Sequence, residues 1–67
     1  MNAAERAAAL AASAAELAEA AAKVERWTAG TEALPRPEAD PYPYALGWLL
    51  STVRFHLAEL GRLGIIP

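Results

Sequence analysis

Between residues 44 and 60 the apolar side chains recur on two sides of any helix drawn through them. Leu46, Leu50, Val53, Leu57 and Leu60 follow steps of four, three, four and three, a heptad seam widened by Leu49. At about 100° per residue, Tyr44, Trp48, Ser51, Phe55 and Arg62 fall on the opposite side. Trp48 and Phe55 form an aromatic ridge there, begun by Tyr44 and ended by Arg62. The first half of the chain carries a simpler signal. Leu10, Leu17 and Val24 are seven apart, Ala3 extends the series backwards, and Ala7, Ala14 and Ala21 form a parallel row. A stripe of large residues beside a row of alanines lets two helices pack closely. Glu5, Ser13, Glu16, Glu19, Lys23 and Arg26 mostly cover another side.

The ends of these segments are marked. Asn2 followed by Glu5 reads as a capping box, and neither proline nor glycine occurs between Ala3 and Ala29. Glu19 and Lys23 are four apart in the favourable order. Gly30 is the natural stop. The first helix is therefore expected over about 3–29, near 40 Å long at about 1.5 Å per residue. Residues 30–40 form a proline-rich connection. Pro35 and Pro37 cannot sit inside a helix, so the segment reads as a stiff linker, with a docking site for an aromatic-lined groove as the alternative. Asp40 caps the second helix and Pro41 occupies its first position. That helix is expected over about 41–63, with Gly64 as its stop. Gly47 and Gly61 cost about 1 kcal/mol each relative to alanine, so something should pack against it.

The expected fold is all-α, a single 1–67 antiparallel two-helix hairpin. Its core is Leu10, Leu17 and Val24 against Leu46, Leu50, Val53, Leu57 and Leu60. Two helices cannot cover the ridge on the far side. Burying two aromatic rings contributes several kcal/mol by area, so a second chain is expected to cover it, dimerising the hairpin into a four-helix bundle. The predicted interface is Tyr44, Trp48, Ser51, Phe55 and Arg62, aromatic residues with a flanking arginine.

Composition sharpens this. A 67-residue chain is marginal as a monomer, and small folds usually add disulfides, a metal or association. There is no cysteine and one histidine, which leaves association. The 55% apolar content overstates the core, because alanine supplies much of it. A net charge of −2, with Arg54 and Arg62 scattered along one helix, argues against nucleic acid. Residues 7–15 are apolar but flanked by glutamates, unlike a secretion signal, and no run approaches a membrane span. A cytoplasmic protein is expected.

Candidate chemistry is thin. Thr52, His56 and Glu59 place a hydroxyl, an imidazole and a carboxylate on one side of the helix, but catalysis also needs a pocket and an oxyanion donor. His56 reads as a boundary residue bonded to a helix neighbour. His56-x-x-Glu59 reverses the Glu-x-x-His order of di-iron bundles, and Glu16-x-x-Glu19 sits on a charged face. Gly61-x-x-Gly64 ends a helix and lacks the strand a phosphate loop requires. No cofactor is expected. The expected function is a non-enzymatic protein–protein interaction module, an adaptor, inhibitor or assembly subunit. Its partners are a second copy, most simply as a dimer, and/or another protein. The alternative is an accessory structural subunit of a larger complex, and a third is a bundle-bound metal enzyme using His56 and Glu59.

Overall fold

The computed structural model describes all 67 residues, and its two helices are α1 (Ala3–Ala29) and α2 (Pro41–Arg62), with no strand. Local chemistry sets their ends. The Glu5 amide donates to Asn2 Oδ1 at 2.8 Å, and the Asn2 amide donates to Glu5 Oε1 at 3.4 Å. These bonds satisfy two of the amides that a helix start leaves without partners. At the far end Gly30 turns left-handed at φ 79°, where a side chain would be strained. The Thr31 amide can then donate to the Arg26 carbonyl. Asp40 accepts from the Tyr42 amide at 3.1 Å, ahead of Pro41. Gly64 repeats the left-handed stop at φ 74°.

The helices pack antiparallel. His56 meets Ser13, and Trp27 meets both Tyr44 and Trp48. A step of seven along one helix is thus matched by a step of about seven back along the other. The hairpin is long and thin, 47 × 18 × 14 Å. No helix is long and apolar enough to cross a membrane.

The line along which the helices meet differs from the expected one. In α1 the buried residues are Ser13, Ala20 and Trp27, themselves seven apart. In α2 they are Ala45, His56 and Leu60. Of the expected core only Leu60 is buried; Leu17, Val24, Val53 and Leu49 are half-buried at its margin. Leu10, Leu46, Leu50 and Leu57 are exposed, at 49%, 57%, 42% and 52%. The real seam lies about 60° round α1 and about 70° round α2 from the leucine stripes. Side-chain size accounts for the shift. Trp27 has by far the largest surface in α1, and burying it displaces the leucines from the contact. Ala20 and Ala45, only 4% and 1% exposed, give the facing rings room.

The connection is held down by charge. Glu32 bonds Arg26 at 2.9 Å and Lys23 at 3.2 Å, and the Arg36 guanidinium sits 5.1 Å from the Tyr44 ring centre. The Arg26 hydrogen bond, then the Lys23 one, holds the Glu32 carboxyl below its ordinary value of 4.5. A carboxyl with a lowered folded value contributes stability that is present above the unfolded value. That contribution is lost as pH falls through the folded value. Glu32 should therefore titrate below 4.5 in an NMR pH series, with Arg26→Gln moving it back up. An ordinary midpoint in the wild type would contradict this tether.

Candidate functional site

The displaced seam divides the hairpin into two unlike broad sides. On one, Val24 and Thr28 share a groove of about 490 Å³ with Pro43, Ala45, Leu46 and Leu49. By the antiparallel register Leu17 is level with Val53, and Leu10 lies toward Leu57, with Ile65 beside it. These residues form a largely apolar face whose exposed leucines are Leu10, Leu46, Leu50 and Leu57, closed at one end by Asp40 and the exposed Tyr42. On the other side, Glu16, Glu19 and Lys23 line a smaller groove with Trp48, Thr52 and His56.

The aromatic ridge does not stand apart from the hairpin contact, contrary to its expected place on the far side of α2. Tyr44 and Trp48 are half-buried, because their rings meet Trp27 edge-on at 5.6 and 5.0 Å. Such pairs add about 0.5–1.5 kcal/mol beyond area burial. Phe55 (62% exposed) and Ser51 stay in solvent, and the exposed Arg62 bonds Glu59 one turn back. That bond holds the Glu59 carboxyl below and the Arg62 guanidinium above their ordinary values. Trp27, which joins the two aromatics to the seam, was not among the residues singled out from the sequence. Its size and its spacing from Ser13 and Ala20 were the available signal.

His56 is also placed differently from expectation. It is buried, and its partners lie on the opposite helix: Ser13 Oγ at 3.2 Å from Nδ1 and Glu16 Oε2 at 3.0 Å from Nε2. An ionised carboxylate cannot donate, so Nε2–H donates to Glu16. In the neutral ring the Ser13 hydroxyl then donates to Nδ1. Thr52 instead donates to the Trp48 carbonyl, and Glu59 is bonded to Arg62, so Thr52, His56 and Glu59 are not assembled into a trio. The new trio of Ser13, His56 and Glu16 has the groups of a catalytic relay. However, Ser13 is itself buried in mid-helix, where backbone amides are committed to the helix ladder and offer no oxyanion site. No group of three or more His, Asp or Glu side chains is placed to hold a metal ion. The arrangement acts as a polar clasp between the helices.

No protein-family model, curated protein or solved structure matches the chain.

The clasp makes His56 sensitive to substitution. His56→Ala removes both bonds, strands the Ser13 hydroxyl and opens a void. It should cost about 2–3 kcal/mol in urea denaturation followed by circular dichroism. Ser13→Ala should cost about 1 kcal/mol, since only one bond is lost. A neutral His56→Ala would show the clasp to be incidental.

Proposed function

We propose that the chain is a non-enzymatic protein–protein interaction module, an adaptor, inhibitor or assembly subunit, whose working surface is the leucine face of the hairpin. It acts by laying that face on partner helices and so completing a four-helix bundle. The observation that carries this is the exposure of Leu10, Leu46, Leu50 and Leu57 on one continuous side, with the half-buried Leu17, Val24 and Val53 between them. Monomeric soluble proteins rarely leave apolar patches of this extent in water.

Surface area supports the same reading. A compact monomer of 7.1 kDa exposes about 4,100 Å² by the usual size scaling, whereas this chain exposes 4694 Å². No large side chain is fully buried. A compact 67-residue chain has a radius of gyration of about 11 Å, and this one reaches 14.6 Å. The hairpin is built as one layer of a thicker object. Its cysteine-free composition suits a reducing compartment, and the proposed location is the cytoplasm.

The test compares the two sides. Leu50→Glu with Leu57→Glu should abolish association with the partner, while Phe55→Ser on the polar side should leave it unchanged. Equal loss from both variants, or from Phe55→Ser alone, would return the interface to the aromatic side.

A further inference from the structure

The proposed docking surface leaves open what covers it. We infer that the occupant is a second copy of this chain, related by a two-fold axis parallel to the helices, so that α1 of each copy lies on α2 of the other. This inference rests on the leucine face being the working surface.

The area of the face suits a second copy. The broad side measures 47 by 18 Å, a footprint of about 850 Å². A standard stable interface takes about 800 Å² from each partner. One further hairpin of the same dimensions therefore covers the face without excess, and supplies the missing layer of a bundle.

The levels of the two helices match as well. Val24 shares its groove with Leu46 and Leu49, and steps of seven carry this pairing on to Leu17 with Val53 and to Leu10 with Leu60, one turn from Leu57. Each rung holds one residue from each helix. A two-fold axis along the hairpin turns each rung onto itself, placing Leu17 over the partner's Val53 with no sliding of the chains.

Side-chain size also alternates across the face. On this side α2 presents three protruding leucines, Leu46, Leu50 and Leu57. The outer flank of α1 presents Ala7, Ala14 and Ala21, all exposed. Cores fill best when large residues face small ones across the interface. Laying α1 on α2 of the other copy meets that condition on the outer flank, where Ala21 is level with Leu50 and Ala14 with Leu57. The rival arrangement, with the axis across the helices, sets leucine on leucine along one edge and alanine on alanine along the other.

Charge separates the two arrangements again. Arg54 lies between Leu50 and Leu57 on the exposed flank, one turn from each, and forms no ion pair within the chain. An axis across the helices at the middle rung would bring the two copies of Arg54 together. The axis along the helices puts each Arg54 beside α1 of the other copy, away from its twin. Like charges brought together at an interface are disfavoured.

The chain contains no cysteine, so single cysteines can report the arrangement. Leu17→Cys and isotope-labelled Val53→Cys chains are mixed under reducing conditions at high micromolar concentration and then oxidised. Random pairing would make roughly half of the disulfide-linked product mixed; the inferred geometry makes nearly all of it mixed, at twice the monomer mass. Predominance of Leu17→Cys homodimers would overturn the geometry. Alongside, the wild type is sedimented. A monomer whose dye-binding apolar surface is removed by Leu50→Glu with Leu57→Glu would overturn the second copy as occupant while leaving the docking face intact. A monomer on which that double change has no effect would overturn the docking reading itself.

Discussion

Trp27→Ala is expected to unfold most of the chain at room temperature. Trp27 is 4% exposed and holds Tyr44 and Trp48 against α1. Truncating a buried tryptophan costs about 3–5 kcal/mol. A 67-residue domain has roughly 3–10 kcal/mol in total at typical stability per residue, so the loss is comparable to the whole. The buried Trp27 Nε1 has no acceptor in the chain, which makes Trp27→Phe informative. Phenylalanine keeps a ring between Tyr44 and Trp48 and removes the unpaired donor, whose burial costs about 1–3 kcal/mol. Trp27→Phe should therefore stay within about 2 kcal/mol of wild type. Urea titrations read by circular dichroism decide the matter. Comparable loss from both variants would mean that the indole contributes something beyond ring packing.

The second large effect concerns association. Leu50 and Leu57 are about half exposed in the hairpin, so each has roughly 1 kcal/mol of burial still to gain in a dimer. Four such side chains meet in the complex. Replacing them by glutamate forfeits that gain and sets carboxylates against an apolar surface. Leu50→Glu with Leu57→Glu should raise the dissociation constant by about a thousandfold or more. The hairpin itself should survive, because neither residue lies in the seam. Leu60→Glu, at a buried position, should instead collapse helicity and association together.

The two-helix fold was legible in the sequence because helix ends are local events. Asn2 and Glu5, Gly30, and Asp40 with Pro41 lie within a turn of the groups they satisfy, and the structure realises each of them. The seam was less legible. Heptad spacing identifies several stripes on one helix, and Ser13–Ala20–Trp27 is as regular as Leu10–Leu17–Val24. Counting leucines favours the second, whereas the contact is decided by how one tryptophan fits against alanines on two helices. A single layer of two helices can bury only a narrow line, so the losing stripe stays in solvent. The His56 clasp was invisible for a related reason: Ser13 is 43 residues away, and nothing local to either residue announces the other. Of the two apolar sides of α2, the leucine side is the more exposed, because Tyr44 and Trp48 on the aromatic side pack against Trp27.

Coverage of the leucine face by another hairpin is the central proposal. Sedimentation equilibrium of the wild type and of Leu50→Glu with Leu57→Glu, each with helicity measured on the same samples across a dilution series, tests this most directly. The account predicts twice the 7.1 kDa chain mass for the wild type at high concentration, with dissociation on dilution. It predicts a helical monomer at every concentration for the double variant. A wild type that stays helical, monomeric and freely soluble throughout would contradict it.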